Sequence, residues 1–183
     1  MKSLGVVVGF TLTIVLVTIL IIVVSKKLNN DNSSRTKYDE RQQIVRGQGY
    51  KYSFWTVVGL IVAFIVLDVA EIDLPIKTSV MYFLAIVVGV LCHTTYCIFN
   101  DGYFGINNNP KQYYVMFVLI GLFNVLIGVM NCIRGNLISD GKLDVPAINL
   151  FCGLMFVVLG ICIVIKSVMD KKKNMDDDEE DDE

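Results

Sequence analysis

Apolar runs of more than twenty residues recur along this chain, separated by short polar stretches, and they limit what it can fold into. Hydrophobic residues make up 54% of the 183 residues and charged residues only 19%. A soluble domain of this size spreads its charges, because every surface helix needs a polar face. The clustered charge here is typical of a chain whose solvent is lipid.

The runs predict an all-α fold: a polytopic membrane helix bundle of about five transmembrane helices. A run of about 20 residues at about 1.5 Å per residue spans a hydrocarbon core of about 30 Å. The first run is too long for a signal peptide and lacks a cleavage site, so we expect a retained anchor. Together with a linker over 25–52, the runs form one membrane domain, residues 1–168. The predicted spans are Leu4–Val24, Ser53–Leu74, Ser79–Phe99, Tyr113–Ile133 and Ala147–Val168.

Basic residues are divided unevenly between the two sides that five spans define. Twelve of the sixteen lie on one side, in the linker 25–52, in the loop 100–112 and at the C-terminal end. The positive-inside bias therefore predicts an N-terminus outside and a C-terminus inside. Trp55 and several tyrosines fall at the same proposed inner interface, the depth that amphipathic rings prefer.

Acidic residues are concentrated at the C-terminus, where eight of the eighteen occupy Asp176–Glu183. Because this segment has no apolar residue to bury, residues 169–183 are predicted to form a disordered acidic cytoplasmic tail. A functional version of the tail would bind divalent cations or a basic partner. The rest of the chain is net basic, but no basic face belongs to a folded soluble unit, so nucleic acid is not an expected partner.

The five cysteines all lie in apolar runs, and none forms a CxxC pair, so no metal or redox centre is expected. We interpret them as small packing residues. A disulfide between Cys132 and Cys152, which should both lie in the outer part of adjacent helices, stays open because it needs a matching depth.

Small and polar residues mark the faces through which helices associate in lipid, because close backbone approach and hydrogen bonds replace the hydrophobic effect there. Such stripes predict one compact bundle with the stripes pointing inward. The second span offers the weakest stripe. The stripes are Gly5, Gly9 and Thr13; Gly59, Ala63 and Ala70; Tyr82, Ala85, Gly89, His93 and Tyr96; Gly121, Asn124, Gly128 and Asn131; and Asn149, Gly153, Gly160 and Ser167.

Ionisable and amide side chains within apolar runs are costly and are therefore candidates for function. Asp68 and Glu71, one turn apart near the outer end of the second span, either form a cation or substrate site or lie hydrated at the interface, paired with Lys77 or Arg134. His93 either relays protons or hydrogen-bonds a neighbour such as Asn131 or Tyr96. Asn124, near mid-membrane, is the expected interhelical hydrogen-bond donor.

The two inner loops carry further candidates. Asp39 is expected to cap a short helix with Gln42, and Gly47 and Gly49 to allow a bend into the second span. Arg41 and Arg46 can reach lipid phosphates. Asp101, in the other loop, is predicted to pair with one of these two arginines.

These loops contain Asp39-Glu40-Arg41-Gln42, Arg46-Gly47, Tyr50-Lys51-Tyr52 and the segment Asp101 to Asn107. With them the chain, from about Tyr38 to Asn109, resembles uncharacterised multi-pass membrane proteins of clostridia-type Gram-positive bacteria that carry a DERQ…RG…YKY juxtamembrane segment and a DxYFGxN loop. The resemblance implies a multi-pass protein of a bacterial plasma membrane and supplies no activity.

No HExxH, GxSxG or P-loop motif is present, so an enzyme and a cofactor are not expected. The sequence favours a non-catalytic regulatory, accessory or immunity-type membrane protein. Its expected partners are the lipid bilayer and another membrane protein or a second copy. The alternative is a small transporter or channel subunit, with Asp68, Glu71, His93 and Asn124 lining the path.

Overall fold

The computed structural model describes residue 15, residues 18–20, 22–24, 26–31 and 33, and the chain from 35 to 180. Helix dominates this part of the chain, and residues 15, 18–20, 22–24 and 26–28 are already helical. Four long helices follow: α1 (Glu40–Val69), α2 (Thr78–Phe99), α3 (Pro110–Ile133) and α4 (Ile148–Glu180).

All four of these helices are long and apolar enough to cross a membrane. The prediction of an all-α, multi-pass membrane protein is therefore confirmed at that level. The second to fifth predicted spans fall on α1 to α4. The first predicted span, Leu4–Val24, lies largely outside the described residues, as does its Gly5, Gly9 and Thr13 stripe.

Helix α1 differs from the prediction at both ends. Residues 40–52 were expected in a linker with a bend, but Glu40 to Val69 is one helix of 30 residues. Its start is capped as predicted, since the Asp39 carboxylate accepts from the Gln42 N–H (2.6 Å) and the Gln42 side chain accepts from the Asp39 N–H (3.3 Å). The helix ends at Val69 in a Schellman motif, since Glu71 has a left-handed φ of 54° and the Ile72 N–H donates to the Leu67 carbonyl (3.0 Å).

Helix α4 continues through the segment that was predicted to be a disordered tail, up to Glu180. Over 169–180 the structure thus differs from the prediction. A helix that has already formed extends without a new nucleation step, and no glycine or proline follows Gly160 to stop it. Residues 181–183 lie outside the described part of the chain.

The helices pack in the order α1, α2, α4, α3. Where α1 crosses α2, the Ser53 hydroxyl donates to the Gly89 carbonyl (2.8 Å), and the Val57 side chain occupies the space that a Cβ at Gly89 would need. The stripe predicted for α1, with Gly59, Ala63 and Ala70, does not face α2. Nothing lies within 4 Å of a Cβ built at Gly59. Helix α1 uses Gly49, Ser53 and Val57 instead.

Helices α3 and α4 approach through three of the predicted glycines, Gly121, Gly128 and Gly153. A Cβ at Gly153 would lie 2.6 Å from Val125 Cγ2, and one at Gly128 would lie 3.1 Å from the Leu150 backbone. Between α2, α3 and α4, the buried side chains of Ile98, Phe117 and Leu159 form the core. Close backbone approach thus holds this pair together, as expected for helices in lipid.

Two details of the predicted packing are corrected, and the alternative of a disulfide is not adopted in the structure. The Asn124 side chain donates to the Ile120 carbonyl in its own helix (2.9 Å), so it is not an interhelical donor. Cys132 and Cys152 are both free thiols. A Cβ built at Gly160 would have nothing within 4 Å, so the stripe predicted for α4 is a contact face only in part.

A short hairpin closes one end of the bundle, which we call the hairpin end. Strands β1 (Ile138–Ser139) and β2 (Lys142–Leu143) are joined by Asp140 and Gly141, whose φ values of 55° and 73° fit a type I′ turn. The Leu143 N–H donates to the Pro75 carbonyl (2.8 Å), which ties the hairpin to the loop between α1 and α2. A 3-10 turn, Val145–Ala147, then leads into α4.

Candidate functional site

The opposite end of the bundle joins two loops through asparagine side chains. We call this structure the asparagine clasp: residues 26–31, 33 and 35–39, with Asn29 and Asp31, and residues 100–109, with Asn107 and Asn108. The Asn108 amide donates to the Asn29 side-chain oxygen (2.5 Å), and its own oxygen accepts from the Gly105 N–H (2.7 Å). Both asparagines are buried. Their hydrogen bonds let polar side chains stay inside without a desolvation penalty.

Asn107 holds the other half of the clasp. Its amide donates to the Asp31 carboxylate (3.0 Å) and to the Arg35 carbonyl (3.1 Å), while its oxygen accepts from the Lys37 N–H (2.8 Å). One buried side chain therefore fixes three positions of the facing loop. Backbone hydrogen bonds reinforce the join, including Asn30 N–H to the Asn107 carbonyl (2.8 Å).

Asp31 is the charged member of the clasp. Its carboxylate accepts from the Lys37 ammonium at 2.7 Å and from Asn107. The Lys37 hydrogen bond, followed by that of Asn107, lowers the pKa of Asp31 to about 2. Asp31 therefore stays ionised, and remains an acceptor, throughout the ordinary pH range.

Asp101 joins three helices beside the clasp. Its carboxylate lies 3.7 Å from the Arg41 guanidinium of α1 and 2.9 Å from the Lys166 ammonium of α4. Lys166 also pairs with Asp170, one turn further along α4, at 2.7 Å. The predicted pairing of Asp101 with an arginine is present, and Lys166 is a partner that the sequence analysis missed.

Arg46 and His93, both half-buried, belong to a column of stacked side chains that runs along α1 and α2. The Arg46 guanidinium lies 4.0 Å from the centre of the Tyr38 ring and 6.0 Å from that of Tyr50. Tyr50 in turn stacks on His93, with ring centroids 4.2 Å apart. The column runs Tyr38, Arg46, Tyr50, His93, and its spacing suits cation–π and ring stacking.

The helices place this column by simple spacing. Arg46 and Tyr50 are four residues apart and so share one face of α1. Gly49 lets α2 come close, because a Cβ there would lie 2.9 Å from His93 Nδ1. The Cys97 thiol, one turn further along α2, lies 3.8 to 3.9 Å from the His93 ring nitrogens. His93 thus has neither of its predicted partners, Asn131 and Tyr96.

The carboxylates Asp68 and Glu71 lie at the hairpin end, far from the column. Glu71 has a left-handed φ of 54° just past the end of α1, so the two do not share a helix face as predicted. Asp68 instead shares a cavity of about 230 Å³ with Asp73, Lys142 and Tyr82. Lys142 pairs with Asp73, which leaves Asp68 as the uncompensated charge of that cavity.

Lys77, expected as a partner for Asp68 and Glu71, is engaged elsewhere at the hairpin end. It lies 2.6 Å from the Asp144 carboxylate and 3.9 Å from that of Asp140. The hydrogen bond from Lys77 lowers the pKa of Asp144. Ion pairs therefore join loops and helices at both ends of the bundle. Asp68 and Glu71, the two predicted acidic candidates, take part in none of these pairs.

The described residues include no group of three His, Cys, Asp or Glu side chains that could hold a metal ion. Comparison of the chain with models of protein families, with curated proteins and with solved structures found no match. The arrangement itself is therefore the basis for a functional proposal.

The clasp asparagines were missed as functional residues. Their signal was present as two asparagine-rich stretches, Asn29-Asn30-Asp31 and Asn107-Asn108-Asn109, which were interpreted only as linker and turn. Composition marks both as loops. Only the fold reveals that the two loops face each other.

Proposed function

We propose that this chain is a non-catalytic membrane protein that acts by associating with another membrane protein, as a regulatory, accessory or immunity-type subunit. The observation that carries the proposal is the use of its polar residues. Asp101 and the clasp asparagines hold loops together, and His93 is stacked under Tyr50. These side chains are occupied with structure, which favours a protein that works through its surface.

Helix α1 supplies such a surface. It packs on α2 along one face, while Trp55, Val62 and Val66 on the rest of the helix are 62%, 52% and 60% exposed. Lipid covers such side chains without cost, so their exposure identifies no partner. The exposed face of α1 is nevertheless accessible to a partner helix within the membrane.

The alternative, a transporter or channel subunit, needs a continuous path. Asp68 lines the cavity at the hairpin end, but His93 and Asn124 line neither that cavity nor the apolar groove of about 340 Å³ between α3 and α4. The four residues proposed for the path are thus separated by helix and by depth. Because the residues do not line one path, transport is the less favoured of the two functions.

Photo-crosslinking in intact membranes tests the proposal. A diazirine residue replacing Val62, on the open face of α1, should crosslink one discrete protein in stoichiometric amount after extraction in mild detergent. The same residue at Val87, which is 7% exposed, is the matched control and should give no product. A chain that is never crosslinked at Val62 or at other open positions of α1 would contradict the proposal.

A flux assay in liposomes distinguishes the transporter or channel hypothesis from the proposed association with a partner. Purified chain and an Asp68→Asn, Glu71→Gln double variant should show the same low permeability to ions and small solutes. A solute flux that the wild-type chain supports and the double variant loses would replace the proposal with transport.

We also propose that the membrane is the plasma membrane of a bacterium, with the clasp in the cytoplasm and the hairpin outside. The clasp loops and the Lys166 region of α4 meet at one end, and that end carries most of the basic residues. An impermeant maleimide should label Asn136→Cys, but not Arg35→Cys, in intact cells. Labelling of Arg35→Cys alone would reverse the orientation.

A further inference from the structure

Arg46 is a cation that the fold holds in place without a carboxylate partner. Of the carboxylates whose side chains the structure describes, none forms an ion pair with it. Its one hydrogen bond is a long contact of 3.5 Å to the Tyr50 hydroxyl. A guanidinium has five N–H donors, so most of its hydrogen-bonding capacity is not used by the described residues.

Nearby acidic groups are engaged with other partners. Asp39 caps α1, Asp31 holds Lys37 and Asn107, and Asp101 holds Arg41 and Lys166. None of these three carboxylates pairs with Arg46. The cation is therefore left uncompensated by the fold itself.

Its position along α1 is the second observation. Arg46 lies 23 residues before Val69, the last residue of the helix. At about 1.5 Å per residue this is roughly 35 Å, slightly more than the hydrocarbon core of about 30 Å. Tyr50, Tyr52 and Trp55, exposed on the same helix, form the aromatic band expected at the boundary. Arg46 thus lies at the depth of the lipid headgroups.

The stacking leaves a particular part of Arg46 available. The Arg46 guanidinium carbon lies 4.0 Å from the centre of the Tyr38 ring and 6.0 Å from that of Tyr50, whose hydroxyl is 3.5 Å from Arg46 Nη2. Apart from the long contact to Tyr50, the guanidinium forms no hydrogen bond with the described residues, so most of its N–H donors are available to a ligand. This planar fork matches two oxygens of a phosphate, and the rings hold it so that little rotamer entropy is lost on binding.

We propose that Arg46, held between Tyr38 and Tyr50, binds the phosphate group of a phospholipid headgroup in the leaflet at the clasp end. The chemistry recognised is a phosphate with two free oxygens, which free phosphate also offers. This inference does not depend on the proposed association with a membrane partner. It adds a ligand class and a binding residue that position the chain in the bilayer.

Native mass spectrometry of the purified full chain in detergent tests the proposal, with three probes: phosphatidylglycerol, diacylglycerol and inorganic phosphate. Phosphatidylglycerol should bind, and diacylglycerol, which has the same chains without phosphate, should not. Arg46→Gln should weaken phosphatidylglycerol binding roughly tenfold, as expected for loss of a charge-assisted hydrogen-bonded contact. Arg46→Lys, which keeps the charge but loses the fork, should lie between the two.

Arg134→Gln is the matched control, because Arg134 is an exposed arginine at the hairpin end. It should bind phosphatidylglycerol as the wild type does. Inorganic phosphate that displaces the lipid at millimolar concentration would assign the site to free phosphate and overturn the lipid assignment. Equal binding of diacylglycerol, or unchanged binding by Arg46→Gln, would overturn the proposal as a whole.

Circular dichroism and thermal unfolding of each variant guard against loss of fold. If Arg46→Gln does not fold, phosphatidylglycerol binding by Arg46→Lys is the deciding measurement. A folded Arg46→Lys chain that binds phosphatidylglycerol as tightly as the wild type would reduce Arg46 to a stacking residue.

Discussion

Replacing Gly153 by alanine perturbs the tightest contact between α3 and α4. The added methyl would lie 2.6 Å from Val125 Cγ2, 3.0 Å from the Val125 amide nitrogen and 3.3 Å from its Cα. Two of these atoms belong to the backbone, so no side-chain rotation relieves the clash. The helices must separate by several tenths of an ångström, and both lose packing contacts along the interface.

The magnitude follows from two opposing terms. Inserting a methyl into a close-packed interface costs about 1–3 kcal/mol. Alanine in place of glycine in a helix contributes about 0.5–1 kcal/mol in the other direction. We therefore expect Gly153→Ala to lower the free energy of unfolding by roughly 0–2.5 kcal/mol, which is the packing cost of about 1–3 kcal/mol less the helical gain of about 0.5–1 kcal/mol.

Gly160→Ala is the matched control on the same helix, because nothing lies within 4 Å of its added Cβ. At position 160 only the gain from replacing glycine by alanine in a helix applies, so this variant should be as stable as the wild type or more stable. The difference between the two variants isolates the packing term. Unfolding in mixed micelles of mild detergent and dodecyl sulfate, followed by helical circular dichroism and linear extrapolation, measures both. Equal stability of Gly153→Ala and Gly160→Ala would refute the close packing of α3 on α4.

Three further outcomes are expected at the clasp end. Asp101→Asn keeps a residue that tolerates left-handed backbone but removes the charge that Lys166 faces, and should cost about 1 kcal/mol of unfolding free energy. Asn108→Ala removes two buried hydrogen bonds and should cost about 1–3 kcal/mol, with faster amide exchange in residues 26–39. Because the folded pKa of Asp31 is lowered to about 2, its contribution is complete above the unfolded value of about 4 and is lost as pH falls from about 4 to about 2. Amide exchange at Asn30, corrected for intrinsic pH effects, should rise in that window.

Each of these outcomes has its own control. Arg41→Gln removes only the 3.7 Å exposed pair and should change stability by less than about 0.5 kcal/mol, so an effect as large as that of Asp101→Asn would argue against the central role of Lys166. Asn136→Ala, at the exposed hairpin end, should leave exchange in the clasp unaltered. Asp31→Asn should abolish the pH dependence at Asn30, and a transition that survives it must come from another group.

The sequence carried much of the architecture because lipid imposes a simple length rule. Runs of about 20 apolar residues must be helices there, since every backbone group needs an internal partner. The same rule could not find where α1 begins, because the polar residues 40–52 continue the helix outside the apolar run. Nor did composition show that α4 extends to Glu180, since disorder and a solvated helix end share an acidic composition.

The sequence by itself determined that this chain is helical and belongs in a membrane, and it found the capping box of α1 and the pairing of Asp101 with an arginine. Those features follow from neighbouring residues and from which loops share a side. Only the tertiary structure decided that Asn29 meets Asn108, that Lys166 reaches Asp101 and that Asn124 bonds its own helix. Such contacts depend on the order in which the helices pack and on their rotation about their own axes, and a pattern along one chain specifies neither.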